Sequence, residues 1–149
     1  MFRDLKAWIV ALLLIPAGAA LAADEHARTV GDYVVYYNAF TTDTLAPQVA
    51  KQYGIKRSRN RGMFNIAVQK KVMGMPGKPV KAKITGRAVN LNNQVKNLEP
   101  REILDGTAIY YIGEFPVAHR ETLNFEFRIQ PEGEEEPFTI KFRNTFYTN

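Results

Sequence analysis

The sequence predicts an all-β fold: an immunoglobulin-like sandwich of two antiparallel sheets, with about seven strands and one short helix after the first strand. Three observations carry that reading. From residue 30 onward, apolar and polar residues alternate at a period of two. The runs are rich in aromatic and β-branched residues, with nine Phe and seven Tyr in 149 residues. Pro, Gly and Asn clusters interrupt them every ~10–20 residues, as hairpin connections do. Such hairpins, dry on one face and wet on the other, stack as a sandwich; a small closed barrel is the alternative.

Residues 1–22 read as a cleaved secretory signal. Arg3 and Lys6 precede the apolar run of residues 8–15, Pro16 and Gly18 break it, and Ala20 and Ala22 are small residues at the cleavage positions. The run is short for a bilayer span. Residues 23–149 then form a single domain, placed in the periplasm. Cys is absent, so neither disulfides nor thiol chemistry nor a lipid anchor on Cys is available.

Residues 30–40, with Tyr33-Val34-Val35-Tyr36-Tyr37, form the first strand. Thr44 is placed to cap a two-turn helix with Pro47 in its first turn. Leu45, Val49 and Tyr53 lie on one face, and Gly54 ends it. After a basic loop, Phe64, Ile66, Val68 and Val72 alternate with Asn65, Ala67, Gln69 and Lys71, a half-buried strand. Gly74-Met75-Pro76-Gly77 turns the chain. Val80, Ala82, Ile84 and Ala88 then face inward against Lys81, Lys83, Thr85 and Arg87 outward. Residues 90–97 read as polar loop, and residues 98–104 as one edge strand, demoted by Pro100. Residues 107–117 form the next strand. Leu123, Phe125, Phe127 and Ile129 give the strongest alternation in the chain. An acidic turn with Glu134-Glu135-Glu136 leads to Phe138, Ile140 and Phe142. Tyr36-Tyr37 and Tyr110-Tyr111 each place one ring on either side of a strand, so the outer rings call for a second core beneath the helix around Val49 and Tyr53.

These segments resemble the family of small exported Gram-negative proteins grouped as domain of unknown function 4426. The resemblance rests on residues 31–40 (Gly31-Asp32-Tyr33 through Phe40), Tyr53-Gly54-Ile55 with Arg57-Ser58, Asn90-Leu91, Ala108-Ile109-Tyr110-Tyr111-Ile112 and Glu121-Thr122-Leu123. It implies an envelope address and supplies no catalytic residues.

Charge is the most unusual feature. Residues 51–87 hold eleven Lys or Arg and no Asp or Glu, whereas residues 88–149 hold six basic and ten acidic residues. Lys81, Lys83 and Arg87 share one strand face, and Lys56, Arg57, Arg59 and Arg61 in the basic loop extend it. This is the candidate surface for an anionic envelope component or an envelope protein. The plainer reading is a solvated sheet face neutralised by Glu126 or Glu114. Export carries the chain away from nucleic acid. Met63, Met73 and Met75 with His26 and His119 raise a copper or small-ligand carrier as the alternative. Ser58, the single Ser, lacks a nucleophile elbow, and His119 reads as a turn residue. The expectation is therefore a non-enzymatic module without cofactor or resident metal.

Overall fold

The computed structural model describes residues 26–148, so the segment expected to be a signal lies outside the described residues. In chain order the elements are β1 (Ala27–Val30), β2 (Tyr33–Thr41), a 3-10 turn (Thr42–Thr44), α1 (Pro47–Tyr53), β3 (Arg61–Val72), β4 (Met75–Pro79), β5 (Ala82–Asn90), β6 (Val95–Leu98), β7 (Arg101–Asp105), β8 (Ala108–Pro116), β9 (Glu121–Pro131) and β10 (Phe138–Phe146). All pairings are antiparallel. One sheet runs β1-β2-β3-β8-β7, with β4 continuing beside the end of β3. The other runs β10-β9-β5-β6. They stack as a sandwich.

Among the described residues ten strands stand where about seven were expected, because three short pieces escape a period-two reading. β1 pairs with β2, β4 folds back on β3, and residues 95–105, expected as polar loop up to residue 97 and one edge strand over residues 98–104, split into two strands. The split falls at Glu99-Pro100. β6 belongs to the four-stranded sheet and β7 to the six-stranded one, so Pro100 marks a crossing between sheets, where no ladder needs its missing N–H.

Between the sheets lies a core of aromatic rings. Phe125 and Phe127 are buried, and Phe138 and Phe142 pack against them in part. Phe142 stacks between Tyr37 (4.5 Å) and Phe125 (4.7 Å), measured between ring centroids. Three cross-strand pairs in this core match a glycine with a phenylalanine: Gly62 with Phe115, Gly113 with Phe64, and Gly86 with Phe127. In each, a Cβ on the glycine would stand 2.4–2.5 Å from ring carbons of its partner. The rings lie across the glycines opposite them, covering backbone that a side chain would otherwise shield.

A second core occupies the outer face of the six-stranded sheet. Leu45, Val49, Ala50, Tyr53 and Ile55 cover Met63, Ala67, Tyr110 and Ile112, with Tyr36 partly buried beside them. The paired tyrosines thus divide as expected, Tyr37 and Tyr111 between the sheets and Tyr110 beneath the helix. β3 is buried on both faces from Gly62 to Val68 rather than half-buried, since α1 covers the side carrying Met63 and Ala67. Nor does Thr44 cap the helix: its hydroxyl donates to Thr41 O (2.7 Å), and Ala46 holds the N-cap position. Gly54, at φ 67°, ends the helix in the left-handed conformation.

Candidate functional site

The outer face of the four-stranded sheet gathers basic side chains from β5, β9 and β10. Register places Thr85 beside Arg128, Arg87 beside Glu126, and Val89 beside Asn124 on β5 and β9. On β10, Thr139 meets Arg128, Lys141 meets Glu126, and Arg143 meets Asn124. Lys83 pairs with Gln130. Residues opposite one another share a face, so five cations share this one: Arg87, Arg128, Lys141 and Arg143 surround one carboxylate, Glu126, and Lys83 lies farther along β5 opposite Gln130.

Glu126 is contested from two sides, by Arg87 at 3.8 Å and Lys141 at 3.7 Å. These are long, exposed pairs, worth ~0–1 kcal/mol each. Arg143 donates from Nε to Asn124 Oδ1 (2.7 Å), which orients its guanidinium without cancelling its charge. Lys83 and Arg128 make no ion pair among the described residues. The face therefore keeps a positive balance that a single carboxylate cannot neutralise.

The expected basic surface assembles only in part. Lys83 and Arg87 sit on this face, but Lys81, just before β5, turns its ammonium to Glu102 of β7 (3.6 Å). The loop residues are elsewhere. Arg61 opens β3 in the other sheet and pairs with Glu114 (3.3 Å). Arg57 is a strut, donating to Leu45 O (2.8 Å) and Asp43 O (2.9 Å) and holding the entry to α1. Lys56 and Arg59 are exposed beside it. Loop and row do not meet, because β3 and β5 belong to different sheets. Sequence reading missed Arg128, Lys141 and Arg143. They occupied the polar positions of the two clearest alternations, but only register shows that they adjoin Arg87.

The soft-ligand set disperses. Met63 is buried in the second core, whereas Met73 (99% exposed) and Met75 lie at the β3–β4 turn. The His119 ring accepts from Thr148 N–H at Nδ1 (3.0 Å), and Ser58 Oγ accepts from Asn60 N–H (3.1 Å). Among the described residues no three His, Cys, Asp or Glu side chains gather as metal ligands.

Two polar networks tie the sandwich together. At one end, Glu121 accepts from Lys96 Nζ (2.8 Å), Asn90 Nδ2 (3.0 Å) and Ala118 N–H (3.0 Å). Burial alone would push this carboxyl up, but the Lys96 and Asn90 bonds, the Ala118 N–H and the Lys96 charge together hold it below its ordinary value. Toward the other end, the Tyr111 hydroxyl accepts from Ala82 N–H (2.8 Å) and donates to Glu102 Oε2 (3.0 Å), linking the two sheets.

Comparison with known proteins agrees with this architecture. A family protein of Pseudomonas aeruginosa PAO1 superposes with a TM-score of 0.71 at 35% identity, covering 83% of this chain and 94% of that one. FetP of uropathogenic Escherichia coli strain F11, recombinantly expressed in the periplasm, shares the fold at TM-score 0.55 and 10% identity, covering 81% of this chain and 92% of its own. A copper-bound FetP variant superposes at 0.51 and 10% identity, covering 80% and 93%. No curated protein sequence matches this chain. The model of the domain of unknown function 4426 (DUF4426) matches residues 27–149, and the chain belongs to that family.

Proposed function

We propose that this protein is an exported, non-enzymatic binding or accessory module of the bacterial envelope, which engages an anionic component through the outer face of its four-stranded sheet. The observation that carries the reading is a sheet face on which four cations surround Glu126 and a fifth, Lys83, lies beyond them. Export draws on the three-part pattern of residues 1–22. Among the described residues no helix is long and apolar enough to cross a membrane. Ser58 and His119, the side chains a hydrolytic reading would recruit, accept from the backbone N–H groups of Asn60 and Thr148.

The test is retention on immobilised phosphate polymer and on anionic vesicles at low salt. Retention that fades toward 0.15 M salt supports an exposed electrostatic surface, since the screening length there is ~8 Å. Failure to bind either matrix, with capture of an uncharged envelope protein instead, would replace the anionic partner with a protein one. Mass spectrometry of the periplasmic fraction checks the address: the mature chain starts near residue 23, and a majority of uncleaved molecules would overturn export.

A copper or small-ligand carrier is the second reading, favoured by the fold shared with FetP. Its soft donors here are Met73 and Met75 at the β3–β4 turn. Titration with Cu(I) separates the two, because tight binding lost in Met73→Ser/Met75→Ser would put the carrier first.

A further inference from the structure

We infer that the occupant of the cationic face is the headgroup plane of an anionic phospholipid bilayer, on which the four-stranded sheet lies flat. This rests on the anionic-partner reading above. Side chains two apart on one strand stand about 7 Å apart, and diagonal neighbours about 7–8 Å. Lys83, Arg128, Lys141 and Arg143 follow such a path across β5, β9 and β10, with Arg87 beside it. At that spacing a single phosphate reaches two of them at most, whereas a planar array of headgroups meets all five together.

The composition of the face argues against a protein partner. Protein interfaces are built around a desolvated apolar centre with aromatic or aliphatic anchors. The centre here is Glu126, with Arg87 and Lys141 across from it and Asn124 and Arg128 along the same strand. An anionic membrane surface needs no apolar anchor to attract this patch, and each Lys or Arg near it contributes about fivefold in partition.

The acidic end of the sheet sets a tilt. Glu132, Glu134, Glu135 and Glu136 lie between β9 and β10, next to the end carrying Lys83. Glu134 is drawn off the face by the Tyr33 hydroxyl of the opposite sheet (3.0 Å). Repulsion of this turn brings the Arg143 end closest to the headgroups.

Co-sedimentation of the purified chain with vesicles tests this, comparing phosphatidylglycerol-containing vesicles with pure phosphatidylcholine. Arg128→Gln/Lys141→Gln/Arg143→Gln should lower partition onto the anionic vesicles on the order of 100-fold. Lys56→Gln/Arg59→Gln, in the loop before β3, should change it less than about twofold. Arg128→Gln alone, which breaks no ion pair, guards against loss of folding and should weaken partition about fivefold. Equal losses from face and loop variants, or equal binding to both vesicle types, would overturn the flat docking. Retention on immobilised phosphate polymer without vesicle binding would sink the bilayer and leave the anionic reading standing; binding to neither would sink both.

Discussion

The Asn90 side chain donates from Nδ2 to Glu121 Oε2 at 3.0 Å, joining the end of β5 to the start of β9. Its other atoms are also committed. Asn90 Oδ1 accepts from Asn92 N–H (3.0 Å) and Gln94 N–H (2.9 Å), shaping the turn into β6. Lys96 on β6 then reaches back to the same carboxylate. Both Asn90 and Glu121 belong to the short segments on which the family resemblance rests, so those segments mark the joints where two turns are locked together.

Glu121→Gln should cost roughly 2–3 kcal/mol at neutral pH, because Lys96 is left largely buried without its counter-charge. The folded carboxyl titrates below its ordinary 4.5. Its contribution is therefore present above that value and is lost as pH falls through the folded pKa. Urea unfolding at neutral and acid pH should show the gap between parent and variant closing in acid. A gap that stays constant would mean that the bond geometry, not the charge, carries the stability.

Phe127→Ala should cost about 3–5 kcal/mol, the range for a fully buried aromatic. Gly86→Ala should cost about 1–3 kcal/mol, since the added Cβ meets the Phe127 ring at 2.5 Å. The two are coupled. In a Phe127→Leu background the Gly86→Ala penalty should shrink, and a double-mutant cycle by denaturant unfolding measures this. Strict additivity would place the strain elsewhere.

Tyr111→Phe should cost about 1–3 kcal/mol, as Ala82 N–H loses its acceptor between the sheets. Burial pushes the Tyr111 hydroxyl up to about 12; the Ala82 N–H opposes this, while the Glu102 bond and charge and the Glu132 charge add to it. A raised folded pKa means that this contribution holds below pH 10 and disappears as pH rises from there to about 12. Unfolding midpoints measured across that window should fall less steeply in the Phe variant.

Glu126→Gln should strengthen binding to an anionic surface, by about fivefold at low salt, because it removes the single carboxylate among the five cations. Stability should change by less than about 0.5–1 kcal/mol, since both of its ion pairs are long and exposed. Vesicle co-sedimentation beside thermal unfolding reads both. Weaker binding by this variant would show that Glu126 orients Arg87 and Lys141 rather than opposing them.

Alternation in the sequence determined the architecture wherever one strand face is wet. Leu123, Phe125, Phe127 and Ile129 are all buried, and Asn124, Glu126, Arg128 and Gln130 all lie on the other face. A period of two dictates this locally, because successive side chains must point to opposite sides of a sheet. The helix was legible for a similar local reason, with Pro47 opening it and Gly54 closing it. What the sequence could not decide was sideways. Whether Asn65 and Ala67 meet water or α1 depends on where the helix folds back, and it covers β3 on that side. The charge blocks along the chain likewise dissolve in space. Arg57 is spent on the loop leading into α1 and Arg61 on Glu114 within its own sheet, while Arg128, Lys141 and Arg143, from the acidic third of the chain, come to stand around Arg87. Strand register and sheet assignment made that face, and both are long-range choices, set by how buried rings such as Phe127 over Gly86 fit between the sheets.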